Sequence, residues 1–188
     1  MATDVAVCNM ALTALGHETI SALEERSKAA GLCRLHLSTA RRELLEAHNW
    51  AFATASADLA ALSAPAASYG AGHWATAFRL PVDCLKARAL STGAPFEIMG
   101  DTLLTDEPAA RLTYTRDISE AARFPASFAR ALSFLLASLL AVPLMQSERL
   151  EQGMTERFLV QIGNAREIDA DQGVPGKDDP VAWVEARR

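Results

Sequence analysis

Between Pro125 and Met145 the apolar residues Phe128, Leu132, Leu135, Leu136, Leu139 and Leu140 fall on nearly every face of an α-helix. A helix of that kind has no side to give to water and must be enclosed by the rest of the chain. The other segments are therefore read as its wrapping. Pro125 suits the first turn, and Pro143 ends or kinks the helix, because proline lacks the N–H and crowds the preceding turn. The longest apolar run, Ala131 to Met145, falls short of the roughly 20 residues a membrane span needs. A buried helix is the expectation, with no membrane.

Amphipathic helices supply the wrapping. Thr3 caps a first one with apolar positions Val7, Met10, Ala11, Ala14 and Leu15, and Gly16 ends it. Ser21-Ala22-Leu23-Glu24 fits a capping box for a second helix running to about His48. Its stripe is Ala29, Cys33, Leu37, Ala40, Leu44 and Ala47, at spacings of three and four. At about 1.5 Å per residue that helix would be about 40 Å long. From Ser147 a last helix carries Leu150, Met154, Phe158, Ile162, Ala165 and Ile168. Half of the 188 residues are hydrophobic, enough for a sizeable core.

Residues 51–118 differ in texture, with short β-leaning runs at Ala75–Leu80, Cys84–Leu90, Phe96–Met99 and Arg111–Thr115. Gly100-Asp101 marks a hairpin turn. Ser63 to Gly72, rich in Ala, Pro, Ser and Gly, reads as a mobile loop. The expected fold class is mainly α, a helical bundle with a small inserted β-sheet subdomain and an extended C-terminal tail. Residues 1–50 and 120–172 would form the bundle, 51–119 the β-rich insertion, and 173–188 a flexible tail. That tail carries Val181-Ala182-Trp183-Val184 and ends in Arg187-Arg188. Two readings of Trp183 stand side by side: an anchor on a partner, or a side chain folded back onto its own subunit.

Reactive chemistry is hard to find in the pattern. His17, His36, His48 and His73 show no metal-ligand spacing, and Cys8, Cys33 and Cys84 form no C-x-x-C, so no metal site is expected. There is no G-x-S-x-G, and Gly70-Ala71-Gly72 is too short for a dinucleotide fingerprint, so no cofactor is expected. Glu24-Glu25 and Asp106-Glu107 are the adjacent carboxylate pairs of interest, and because neighbours on a helix diverge by about 100°, Glu24 and Glu25 do not face one substrate. The net charge of −5 argues against a protein that neutralises nucleic-acid phosphates. Met1-Ala2-Thr3-Asp4 has no basic leader before an apolar stretch, so no signal peptide is expected.

Several segments, in order, carry a resemblance. They are Cys8-Asn9-Met10-Ala11-Leu12 with Leu15-Gly16, then Leu23-Glu24-Glu25-Arg26-Ser27-Lys28-Ala29-Ala30. Arg41-Arg42-Glu43-Leu44-Leu45 and His48-Asn49-Trp50-Ala51-Phe52-Ala53 follow. Phe78-Arg79-Leu80-Pro81-Val82-Asp83-Cys84-Leu85, Leu103-Leu104-Thr105-Asp106-Glu107, and Phe124-Pro125 with Phe128 and Ala131-Leu132 complete the series. From about residue 8 to 140 the chain resembles the tail tubular protein A family, head–tail adaptors of short-tailed bacteriophages and related prophages.

The resemblance implies a non-enzymatic structural virion protein, a head-tail connector subunit. It would self-associate into a ring, commonly of about twelve copies, docked below the portal protein. The ring would carry the tail nozzle, a tail tubular protein B-like partner, and let DNA pass without specific binding. Its place would be the virion tail, after assembly in the host cytoplasm. The tail residues Trp183, Val184, Arg187 and Arg188 are the candidates for contact with the portal. The alternative is a tail-associated peptidoglycan-cleaving enzyme, with Glu24, Glu25, Asp106 or Glu107 as its acid. A third reading, a regulatory DNA-binding protein, conflicts with the acidic charge.

Overall fold

The computed structural model describes residues 3–63 and 73–171. The all-round apolar segment forms α3 (Ala126–Met145), with Phe128, Leu132, Leu136 and Leu140 fully buried. At 20 residues α3 is long and apolar enough to cross a membrane. It is instead wrapped by α1 (Asp4–Ala14), α2 (Lys28–Glu46) and α4 (Glu148–Ala170), all three of which pack on it. Pro143 sits inside its last turn, and the helix runs on to Met145 before Gln146, at φ 53°, turns the chain away.

Helix starts follow local hydrogen bonding. The Thr3 hydroxyl accepts from the Ala6 N–H at 3.1 Å, and the Ser147 hydroxyl from Leu150 N–H at 3.2 Å. The second start differs from the expectation. Glu25, not Glu24, turns back to accept from Ser21 N–H at 3.0 Å, and the true cap is Ser27, which accepts from Ala30 N–H at 3.2 Å. The Asn9 side chain explains the displacement. It clamps Ile20 by accepting its N–H and donating to its carbonyl, both at 2.9 Å, so the chain is pinned to α1 before it can coil. Shortened at both ends, α2 is 19 residues, about 28 Å at 1.5 Å per residue, not about 40 Å.

Seven strands lie between Thr54 and Arg116 among the described residues. They are β1 (Thr54–Asp58), β2 (Ala60–Ala61), β3 (Thr76–Arg79), β4 (Cys84–Leu90), β5 (Glu97–Met99), β6 (Thr102–Thr105) and β7 (Arg111–Arg116). They form two antiparallel sheets, ordered β1-β7-β4 and β2-β3-β6-β5. The chain passes from one sheet to the other at Leu59, whose N–H bonds the Ala110 carbonyl at 2.8 Å. Phe78 and Leu103 of the second sheet share a buried cluster with Leu90, Leu112 and Tyr114 of the first. Gly100, at φ 62°, makes the β5–β6 hairpin turn.

This architecture corrects the mainly α expectation. The chain is mixed, 49% helical and 19% strand, with two sheets that bury a core of their own. The β part is not a small adjunct to a bundle. The underestimate has a physical source. β1 reads Thr-Ala-Ser-Ala-Asp and β2 Ala-Ala, compositions of low β-propensity that become strands through pairing with β7 and β3. The expected loop at 64–72 and the expected extended tail fall outside the described residues.

Because α3 is enclosed on three sides, truncating its buried positions should cost far more than truncating exposed apolar ones. Leu136→Ala is expected to lower unfolding stability by about 2–5 kcal/mol. Leu159→Ala, at a position 61% exposed, is expected to change it by about 0.5 kcal/mol or less. Urea unfolding of the two variants checks this.

Candidate functional site

The last turn of any α-helix leaves carbonyls without intrahelical donors, and the helix dipole makes that end negative. In α2 this end points at the junction of helices and sheets, and several donors converge on it. Arg88 of β4 reaches the carbonyl of His48 at 2.8 Å, of Glu46 at 3.2 Å and of Leu45 at 3.5 Å. Its Nε donates to the Thr115 hydroxyl of β7 at 2.8 Å. Lys86 adds a bond to Glu46 O at 3.2 Å, Arg166 of α4 one to Ala47 O at 3.1 Å, and the Trp50 indole one to Leu44 O at 2.7 Å.

Trp50 is buried and stands edge-on to Phe128 of α3, with ring centroids 5.1 Å apart. The buried Asp169 of α4 accepts the Ala51 N–H through both oxygens, at 3.1 and 3.0 Å. It also lies 3.5 Å from Nε2 of His48, which packs edge-on against Trp50 at 4.9 Å. Burial pushes the His48 imidazole below its ordinary value. Asp169 opposes that, and the Arg166 and Arg88 cations add to the lowering.

A second fastening lies beside it. Asp83, just before β4, accepts from the Tyr114 hydroxyl at 3.0 Å and from Arg116 Nε at 2.8 Å, while its carbonyl takes Asp117 N–H at 2.9 Å. Asp117 in turn pairs with Arg41 of α2 at 2.8 Å and with Arg42 at 3.5 Å. Arg41 also borders a cavity of about 170 Å³ with Asp4, Leu23, Arg34, Leu37, Ser38 and Phe124.

The partner-contact candidates Trp183, Val184, Arg187 and Arg188 lie outside the described residues. The carboxylates weighed for an enzyme are placed apart in the fold. Glu25 holds Ser21 before α2, whereas Asp106 accepts the Ala75 N–H at 3.0 Å after β6. The Ser21 N–H, followed by the Ser27 side chain, holds the Glu25 carboxyl below its usual value. A general acid needs the opposite shift. Among the described residues no group of three or more His, Cys, Asp or Glu is arranged to hold a metal ion. Cys8 and Cys33 are buried between α1 and α2. The Cys8 thiol is pushed far up by its hydrogen bond with Cys33 and by burial.

Sequence reasoning missed Arg88, Asp83 and Asp169. One signal was available: Asp169 continues the stripe Ile162 and Ala165 at a spacing of four, so it falls on the buried face of α4. Arg88 and Asp83 carry no such mark.

Among the described residues the exposed large apolar side chains are Leu139, Val142, Leu159, Val160 and Ile168 on the α3/α4 pair, and Met10, Leu35, Val82, Ile98 and Met99 elsewhere. No protein-family model matches this chain, and no curated protein matches it.

Two outcomes are expected. Arg88→Met removes the donor from the Leu45 and His48 carbonyls, Glu46 keeping Lys86, and should cost about 1–3 kcal/mol, read by urea unfolding, with faster amide exchange in the last turn of α2. For His48 the folded value lies below 6.5, so the unfolded chain takes the proton first. Its contribution is complete above that value and is lost as pH falls through it. The thermal midpoint should therefore fall as pH drops below about 6.5, and His48→Gln should flatten that slope.

Proposed function

We propose that this chain is a structural virion protein, a head-to-tail adaptor subunit that docks as a ring below the portal protein of a short-tailed phage or prophage. The ring carries the tail nozzle, leaves a channel for DNA, and has no catalytic role. Its copies number about twelve, set by closure of a head-to-tail contact around one axis. The protein works in the virion after assembly in the host cytoplasm. The C-terminal residues Trp183, Val184, Arg187 and Arg188 add to the portal.

One observation supports this reading above the others: several side chains within the segments resembling the tail tubular protein A family make fastening contacts in this fold. Asn9 clamps Ile20, Arg41 and Arg42 hold Asp117, His48 and Trp50 close the end of α2, and Asp83 orders Tyr114 and Arg116. The division of labour also suits an adaptor. A helical layer and a two-sheet layer, joined by polar fastenings, offer separate faces to successive partners.

Mixing the purified chain with a portal ring and measuring the mass and shape of the product tests the proposal. The expected product is a portal ring carrying about twelve copies. A chain that never joins the ring defeats the adaptor reading. A variant ending at Gln172 should join far more weakly, and unchanged binding removes the tail from the portal contact.

A further inference from the structure

The α3/α4 pair carries a groove that none of the fastenings uses. Its first half, about 320 Å³, lies beside the exit of α4 and is lined by Ala126, Arg130, Asn164 and Ile168. Its second half, about 430 Å³, runs on past Gln161 to Phe134, Val160 and Arg157, with Glu156 on the rim. Val160 is 61% exposed and Ile168 50%, more than apolar side chains of this size usually leave to water. Among the described residues neither Arg130 nor Arg157 forms an ion pair.

The chain continues past Asp171, one turn beyond Ile168, for another 17 residues. That segment contains Asp179, Val181, Trp183 and Glu185 at every second position, so in extended form all four share one face. The pattern acid, Val, Trp, acid matches a mixed groove with an exposed aliphatic and an arginine in each half, Ile168 with Arg130 in the first and Val160 with Arg157 in the second. The halves are centred about six residues apart on α4, about 9 Å at 1.5 Å per helical residue. Val181 and Trp183 stand about 7 Å apart when extended, and the indole covers the rest. Ten residues separate Asp171 from Val181, a reach of up to about 33 Å, ample for the chain to reverse.

We propose that in the free chain this groove seats its own C-terminal segment, with Val181 in the half beside Ile168 and Trp183 on Phe134 and Val160. Asp179 faces Arg130 and Glu185 faces Arg157. The seat shelters an aromatic residue that would otherwise be open to non-specific association. It concerns one chain alone and stands whether or not the adaptor reading holds. If both hold, docking on a portal requires the segment to leave the groove.

The full chain labelled with fluorotryptophan, without any portal, tests this. Its three tryptophans give three fluorine resonances, and Trp183→Phe identifies the one for Trp183. The expected result is a Trp183 resonance displaced from that of a synthetic peptide of residues 172–188, with a reduced H2O/D2O shift. Val160→Asp and Ile168→Asp, both at exposed positions, should each return it to the peptide value, with the Trp50 and Trp74 resonances unmoved. Partial return at high salt is expected from the two ion pairs. A wild-type resonance already at the peptide value overturns the proposal, as does one that ignores Val160→Asp. A displacement that vanishes on dilution also overturns it, by assigning the seat to a second copy.

Discussion

The C-terminal turn of α2 is the point on which the rest of this structure depends. Its carbonyls meet protein donors at the junction of helices and sheets, those of Leu44 and Leu45 in the buried interior and those of Glu46 and Ala47 at its exposed edge, and a buried carbonyl without a partner is costly. Arg88 alone serves three of them, and its remaining arm holds Thr115. A planar guanidinium with several fixed donors can bind carbonyls on one element and a hydroxyl on another at once, which an ammonium cannot do with the same rigidity. The orientation of the β part relative to α2 is set by that side chain. Trp50 extends the same fixture into the helical core by stacking on Phe128 while capping Leu44.

The two larger apolar clusters remain distinct. One is helical, built on α3, and the other lies between the sheets around Phe78, Leu103 and Leu112. They approach at Cys84 and Leu85, adjacent residues that pack on different clusters. What joins them beyond that is polar: Arg88 on one side, and the chain Arg41–Asp117–Asp83–Arg116 on the other. Polar joints are directional, so they fix an angle where apolar contact would tolerate sliding.

Much of the helical part was legible because helices declare themselves locally. Thr3 and Ser147 cap where a hydroxyl before an apolar-periodic run should cap, and α3 reads as buried from its own composition. Ser21 misled because the capping-box spacing was present while the Asn9 clamp on Ile20, a contact from another element, held the chain out of helix. Strands were legible where β-branched or aromatic residues alternate, as at Thr76–Arg79, and illegible in alanine-rich β1 and β2. Missing those two strands is what made the β part look small. Of the fastening residues outside the resembling segments, Asp169 had a periodic trace in the sequence, a carboxylate on an otherwise apolar stripe, whereas Arg88 had none.

Periodicity, capping and composition by themselves determined that α3 is enclosed and that helices begin at Thr3 and Ser147. They also established that Gly100 turns a hairpin. Each of these depends on residues within a few positions of one another, so nearest-neighbour physics suffices. The tertiary structure alone decided that the chain is mixed rather than mainly helical, that α2 begins at Lys28, and that Arg88, Asp83 and Asp169 carry the junction. Those outcomes rest on partners 11 to 118 positions apart, and a hydrogen bond across such a separation leaves no local signature because its energy exists only once the chain has brought both ends together.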